Sequence, residues 1–304
     1  MPEPDAHPHA AQAQRVAQKT LVAGIAITLL KFSAFMMTNS VAVLSDAIES
    51  ILNIITAAIM LLALWYSNRP ADTTHPYGHG KVEFVAVALE GLFILAAAAA
   101  ISLSAVTRLI HGQSPHQLDA GLILLTVIAL GSTALATYVY RAGKRYNNLT
   151  LQADAKHLGT DVITTLGVLV GLGLVRLTGM NWLDSAVAMV LALMILVTGA
   201  RLLRQAIDGL MDRSDPEDDR IILDILQQEV HRGSIAGYHK VRHRHTGAFH
   251  WVDMHLQFDA NLSVAQAHAI ASQIEKRVEE ALGVGNATTH LEPADVLPPM
   301  SKER

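Results

Sequence analysis

Long stretches without any charged residue are the feature that most limits how this chain can fold. Asp, Glu, Lys and Arg are all absent from residues 51–68, 91–107, 120–140, 162–175 and 185–200. A spanning helix needs about 20 mostly apolar residues, because the hydrocarbon core of a bilayer is about 30 Å thick. Allowing polar residues near the ends, the sequence predicts six spanning helices at residues 16–38, 41–66, 81–110, 118–141, 149–177 and 182–207.

The composition supports a membrane protein and excludes several classes of function. Hydrophobic residues make up 51% of the chain and charged residues 16%, and the mean hydropathy is +0.31, which is too apolar for an ordinary soluble enzyme. Because Cys is absent, any metal must be held by imidazole and carboxylate groups. The formal net charge of −4 argues against nucleic acid as a partner, and no nucleotide-binding glycine motif is present.

The predicted organisation is an all-α, six-helix transmembrane domain over residues 15–211 and a cytoplasmic α+β domain over residues 212–296. Residues 1–14 are rich in Pro and Ala, and we expect them to be a disordered tail rather than a signal peptide. A second tail is expected at residues 297–304. Lys and Arg in the short loops fall nine to two on one side, which predicts that both termini are cytoplasmic.

The C-terminal domain is predicted to have the element order α-β-β-α-β, as in ferredoxin-like metallochaperone domains. Its strands are HKVRHRH, FHWVDMHLQFD and NATTHLE, and its helices begin near Pro216 and Ser263. Regular alternation within the first strand predicts that four residues share one face of the sheet: His239, Val241, His243 and His245.

Two of the predicted spans carry stripes of polar residues. The stripe on the second helix is Asp46, Glu49 and Asn53, and the stripe on the fifth helix is Asp154, His157 and Asp161. Both have the spacing i, i+3, i+7, which places the three side chains on one helix face. Facing each other, they offer carboxylates, an imidazole and an amide oxygen to a divalent transition-metal ion. Two matched stripes favour this interpretation over polar contacts that only join helices.

Two further groups of residues suit a metal ion. In the loop RPADTTHPYGHGKVE, Asp72, His75 and His79 could surround one ion, although loop histidines are more often simply solvated. The C-terminal domain contains eight His within residues 231–290. On spacing alone, these histidines are either a defined metal site or a surface cluster that binds metal incidentally.

Together these residues resemble the cation diffusion facilitators, most closely their bacterial zinc/proton antiporter group, from about residue 15 to residue 296. The loop PADTTHPYGHGK is similar to the cytoplasmic metal-binding loop of that group, which puts Asp72, His75 and His79 on ligand positions. HLGTD at 157–161 is similar to the HxxxD pair of the transport site.

The resemblance also implies a ligand set in the C-terminal domain and one departure in the membrane. The family's binuclear site falls on His239, His255, His268, His290 and Glu292, with spacings of 16, 13 and 22 residues between the four histidines. In the second helix, Glu49 and Asn53 stand where the family commonly has Asp-xxx-Asp or His-xxx-Asp. The transport site therefore carries one less negative charge, which Asp46 could replace.

The family resemblance implies a homodimer in the bacterial inner membrane that exports divalent metal ions from the cytoplasm in exchange for protons. Zinc is the expected ion, while Cd, Fe, Co, Ni and Mn stay open because ligand softness does not separate several of them at such a site. His157 is the expected proton exchanger, since an unperturbed imidazole has a pKa of about 6.5. The resemblance also implies a charge interlock between Lys81 and Asp212. The alternatives are an intramembrane metalloenzyme and a membrane-anchored metal sensor without transport.

Overall fold

The computed structural model describes residues 10–112, 114–145, 149–246 and 249–294. Six long helices come first: α1 Ala10–Thr38, α2 Val41–Ser67, α3 Val82–His111, α4 Leu118–Arg145, α5 Leu149–Thr178 and α6 Trp182–Leu210. The C-terminal elements follow: α7 Pro216–His231, β1 Gly237–Thr246, β2 Phe249–Phe258, α8 Val264–Leu282 and β3 Gly285–Pro293. The predicted fold class and the order α-β-β-α-β are therefore confirmed.

Each of α1 to α6 contains a segment long and apolar enough to cross a membrane. The mean hydropathy of these segments ranges from 1.8 to 2.4. Many of their large apolar side chains are exposed, including Leu61, Leu103 and Leu193. In water such exposure would be unfavourable, whereas in a bilayer these side chains contact lipid. The chain is a multi-pass membrane protein.

The C-terminal domain is a three-stranded sheet covered on one face by two helices. The strand order is β1-β2-β3, with β1 antiparallel and β3 parallel to β2. The core lies between this sheet and α7 and α8, and its innermost side chains include Leu226, Met254, Leu256 and Ile274. Ser263 caps α8 through a capping box with Gln266, as the sequence indicates.

A β-bulge changes which face the β1 histidines occupy. His239 pairs with His255, but the next paired residues are Arg242 with Asp253 and His243 with Val252. The extra residue is accommodated where Lys240 has a φ of 49°, in the left-handed region. The prediction that His239 shares a face with Val241, His243 and His245 is therefore wrong. His239 lies on the open face of the sheet, whereas His243 is buried on the helix-covered face.

The chain separates into two compact units. One consists of the described residues up to Ala58 together with Glu90–Arg201, and the other consists of Ile59–Leu89 together with the described residues from Leu202 onward. The first unit contains the polar stripes of α2 and α5. The second contains the ends of α2, α3 and α6, the loop between α2 and α3, and the C-terminal domain.

Candidate metal sites

The polar stripes of α2 and α5 meet inside the first unit. Asn53 donates through Nδ2 to both carboxylate oxygens of Asp161, each at 3.3 Å. Glu49 is one helical turn before Asn53 and is partly buried, and its carboxylate is close enough to that of Asp161 for the two to repel. Two carboxylates and an amide oxygen therefore lie on facing helices, where a cation would relieve the repulsion.

Asp46, the third member of the α2 stripe, is held by other partners. Lys31 Nζ lies 2.8 Å from Asp46 Oδ1, and the two side chains are 2% and 0% exposed. Thr165 Oγ1 also donates to both Asp46 oxygens, at 3.0 and 3.1 Å. Removing one member of a buried ion pair is strongly unfavourable. Asp46 can therefore supply the charge that Asn53 lacks only if Lys31 releases it.

His157 is the fourth predicted ligand of the transport site, and the structure does not bring it to the other three. It lies one turn before Asp161 on α5 and is exposed. Among the described residues, no three His, Asp or Glu residues of the two stripes offer ligand atoms that all lie within 4.8 Å of one another. The structure pairs Asn53 with Asp161 but does not gather all four predicted ligands at one point.

The loop between α2 and α3 gathers its three predicted ligands. Asp72, His75 and His79 offer ligand atoms that all lie within 4.8 Å of one another. The Asp72 carboxylate is 3.4 Å from His75 Nδ1 and 3.5 Å from His79 Nε2. A turn brings them together, in which the Gly78 N–H donates to the carbonyl of His75 and Gly78 has a φ of 80°.

Neighbouring groups prepare these loop residues for a cation. The Thr74 hydroxyl and the His75 N–H donate to Asp72 and hold the pKa of its carboxyl well below the usual range, so Asp72 is ionised. His79 Nδ1 is 3.4 Å from the carbonyl of Arg69, to which it can donate only if it carries the ring hydrogen. That tautomer leaves the lone pair of Nε2 facing Asp72. Such a hydrogen bond is typical of metal-binding histidines.

The open face of the C-terminal sheet carries the other three-ligand group. Glu292 lies between His239 and His255, with Oε2 2.6 Å from His239 Nε2 and Oε1 2.7 Å from His255 Nδ1. The strand register explains this arrangement, since His239 pairs with His255 across β1 and β2, and β3 runs beside β2. Partial burial alone would raise the pKa of Glu292. Hydrogen bonds from both imidazoles outweigh that effect and lower the pKa.

The two remaining predicted ligands of this site differ in position. His290 lies beside the group, with its ring centroid 4.8 Å from that of His255 and its Nε2 3.7 Å from Glu292 Oε1. His268 is exposed on α8 and is not part of the three-ligand group. A single protomer thus gathers four of the five residues that the resemblance indicated.

Charged residues join the α2–α3 loop to the start of the C-terminal domain. Lys81 Nζ lies 2.9 Å from Asp212 Oδ1, and Arg244 Nη1 lies 3.2 Å from Asp212 Oδ2. Partial burial alone would raise the pKa of Asp212. The two cations outweigh that effect and lower the pKa. The ion pair between Lys81 and Asp212 that the resemblance implied is present.

The sequence interpretation did not identify the partner of Lys31. The structure places Lys31 against Asp46 and Ser50. A Lys in the middle of a predicted span was itself the available signal, because a cation at that depth needs a partner.

Comparison with protein families assigns both halves of the chain. Residues 20–211 match the cation efflux transmembrane domain, and residues 215–294 match the cytoplasmic domain of cation efflux proteins. The chain belongs to the cation diffusion facilitator family. It is therefore a metal-cation efflux transporter and not an enzyme. This assignment overturns the two alternatives, an intramembrane metalloenzyme and a sensor without transport.

Two relatives identified by sequence agree with this assignment. The chain is 37% identical over 278 residues to the uncharacterized transporter sll1263 of Synechocystis, covering 90% of this chain and 88% of that protein. It is 31% identical over 274 residues to the cation-efflux pump FieF of Klebsiella pneumoniae, covering 90% of each. A zinc-form structure of the transporter CzrB is 25% identical and covers 29% of this chain and 97% of its own, with a TM-score of 0.27.

Proposed function

We propose that the protein exports divalent transition-metal ions, zinc first among them, from the cytoplasm in exchange for protons. It would act as a homodimer in the bacterial inner membrane, with both termini in the cytoplasm. The excess of Lys and Arg on one side of the six helices supports that orientation. The observation that carries the proposal is the meeting of Asn53 with Asp161 between α2 and α5, with Glu49 one turn away.

The incomplete closure of this site suits a transporter. A site that releases its ion on the far side of the membrane must gain and lose ligands as the helices move. Asn53 Nδ2 now donates to Asp161, so its amide oxygen points away from that carboxylate. Rotation of the amide and approach of His157 would complete a set of two carboxylates, an amide oxygen and an imidazole.

Proton exchange follows from the same ligands. Metal binds only the deprotonated forms of His, Asp and Glu, so binding an ion releases protons and protonation expels the ion. His157 is the proposed exchanger because an unperturbed imidazole changes its protonation near neutral pH. Its exposed position one turn before Asp161 gives it access to protons as well as to the ion.

The ligand types support a borderline transition metal. Imidazole and carboxylate at tetrahedral distances of about 2.0–2.2 Å are typical zinc ligands. Asn53 replaces a carboxylate of the common family pair and reduces the negative charge of the site, which weakens its hold on oxygen-seeking ions such as Mn. Cd, Co, Ni and Fe are the other candidate substrates.

The three-ligand groups outside the membrane support a second role for the ion. His239, His255, Glu292 and the neighbouring His290 would hold the ion in one protomer, and exposed His268 would be supplied by a second copy of the chain. Metal shared between two protomers would stabilise the dimer as the cytoplasmic concentration rises. Asp72, His75 and His79 would bind an ion in the loop that follows α2.

Transport into sealed vesicles tests the proposal. The purified protein, reconstituted with an imposed pH gradient, should move Zn²⁺, and collapsing the gradient with a protonophore should abolish accumulation. Cd²⁺, Co²⁺, Ni²⁺, Fe²⁺ and Mn²⁺ should be compared at equal concentration. A rate that is independent of the pH gradient would contradict proton exchange, and a preference for Mn²⁺ would contradict zinc as the principal substrate.

A further inference from the structure

We propose that His243, His250 and Asp218 form an additional divalent-metal site in the C-terminal domain. It lies between the first turn of α7 and the β1–β2 hairpin. This is the helix-covered face of the sheet, opposite the face that carries His239, His255 and Glu292. Neither His243 nor His250 falls on a ligand position of the family resemblance.

The hydrogen bonding of His243 leaves one ring nitrogen without a partner. Its side chain is 1% exposed, and its Nε2 lies 2.9 Å from Asp219 Oδ1. A carboxylate oxygen accepts, so the ring hydrogen belongs on Nε2 and Nδ1 carries a lone pair. Within the described part of the chain, Nδ1 has no hydrogen-bond partner. The charged oxygen that faces it, Asp218 Oδ2 at 3.9 Å, is also an acceptor.

His250 brings a second imidazole nitrogen to the same carboxylate. Its Nδ1 lies 2.9 Å from Asp218 Oδ2, but the angles there do not form a hydrogen bond. Beyond the bulge in β1, His245 pairs with His250 and His243 pairs with Val252, so His243 and His250 occupy diagonal positions on one face. The bulge creates the site, because regular alternation would have turned His243 to the open face.

A bound cation would account for these contacts better than hydrogen bonding among the three side chains does. A buried acceptor without a donor is unfavourable. Tetrahedral zinc at about 2.0–2.2 Å holds its ligand atoms about 3.4 Å apart, between the observed 2.9 and 3.9 Å. Asp219 would orient His243 through Nε2, as carboxylates commonly orient metal-binding histidines.

Binding requires a small movement of His250. The three ligand atoms are not already within 4.8 Å of one another, unlike those of the two groups described above. The His250 side chain is 21% exposed and so has room to rotate. Because this rearrangement opposes binding, we expect this site to have a weaker affinity than the site at Glu292. An ion here would fasten the start of α7 to the hairpin.

Cobalt binding to the full-length protein in detergent tests the site. The background variant combines Asp161→Asn, His79→Ala, His255→Ala and Glu292→Gln, which removes the other metal groups. It should still bind one Co²⁺ per protomer, with the visible absorption of a tetrahedral ion, and Zn²⁺ should displace it. Adding His243→Gln or Asp218→Asn should lower the affinity at least about tenfold, as loss of a group that supports a metal does.

The control is His231→Gln, which changes an exposed histidine at the end of α7. It should leave Co²⁺ binding intact. His250→Gln provides a second test if buried His243 tolerates no substitution, and circular dichroism without metal checks that each variant is folded. The proposal is overturned if the background variant binds no Co²⁺, or if binding survives both His243→Gln and His250→Gln. The first result would indicate that a proton alone satisfies His243 Nδ1.

Discussion

In the membrane, Asn53 and Asp161 meet across two helices while His157 remains apart, whereas on the open face of the C-terminal sheet Glu292 already contacts two imidazoles. The difference follows from the elements that carry the ligands. The hydrogen bonds of a helix lie within that helix, so two helices can rock against each other without breaking any. The hydrogen bonds of a sheet join neighbouring strands and hold them in place. Ligands on separate helices therefore suit an ion in transit, and ligands on paired strands suit an ion that is retained.

Asp161→Ala separates the two regions most strongly. Loss of a carboxylate ligand in the membrane should reduce Zn²⁺ transport into vesicles by more than about 100-fold, because even groups that only support a ligand contribute 10–100-fold. Zn²⁺ binding at the C-terminal domain should be unchanged. Asp119→Ala, which removes an exposed ion pair with Arg176, is the control and should transport normally. Substantial transport by Asp161→Ala would show that this region does not hold the ion.

Asn53→Asp sharpens the comparison by restoring a charge in the membrane only. The added carboxylate should change the order of preference and favour harder, oxygen-seeking ions, so the rate of Mn²⁺ uptake relative to Zn²⁺ should rise about tenfold. Uptake of the divalent panel into vesicles measures the change. Asn53→Ala should slow transport without the same shift toward Mn²⁺. Identical profiles for Asn53→Asp and the unmodified protein would exclude Asn53 as a ligand.

His255→Ala combined with His290→Ala tests the preformed region. Metal that binds only the folded state at 100 times its Kd adds about 2.7 kcal/mol, which corresponds to a rise in Tm of about 10 °C or more for a domain of this size. The double variant should lose most of that rise. Fluorescence of Trp251, on the same strand as His255, reports it once Trp65 and Trp182 are replaced by Phe.

The matched control for that experiment is His231→Ala, which should keep the full zinc-dependent rise. An equal loss in His231→Ala and in the double variant would mean that scattered surface imidazoles, rather than a defined site, stabilise the domain. The contrast between a mobile membrane site and a preformed sheet site would then fail.

The sequence was most informative where one periodicity holds throughout an element. The spacing of Glu49, Asn53 and Asp161 placed these residues on facing sides of two helices, and the structure brings Asn53 and Asp161 together. Helix ends were less certain, since α1 begins at Ala10 rather than near residue 16. The short loop motif was sufficient for Asp72, His75 and His79 because their order along the chain already fixes their proximity.

The sequence failed where a local irregularity changes the periodicity. The bulge at Lys240 reverses the alternation of β1. Nothing in HKVRHRH predicts a bulge, because its position needs a positive φ and Lys rarely adopts one. Contacts between distant residues were also beyond reach. The pairing of Lys31 with Asp46 depends on how α1 packs against α2, and His243 meets Asp218 only because α7 folds over the hairpin.

Asp212→Asn tests the smallest effect, the ion pairs at the start of the C-terminal domain. Lys81 and Arg244 lower the pKa of Asp212, so its stabilisation is fully present above the unfolded value of about 3.9 and disappears as the pH falls through the lower folded value. The partners are partly exposed, which limits the loss at pH 7 to about 1 kcal/mol. Urea unfolding followed by Trp251 fluorescence should show that loss at pH 7, and the unfolding free energies of the two proteins should become equal well below pH 3.9.

Asp224→Asn, on the exposed side of α7, is the control and should change little at either pH. A difference for Asp212→Asn that persisted in acid would mean that the asparagine disturbs packing, and that the charge of Asp212 contributes nothing.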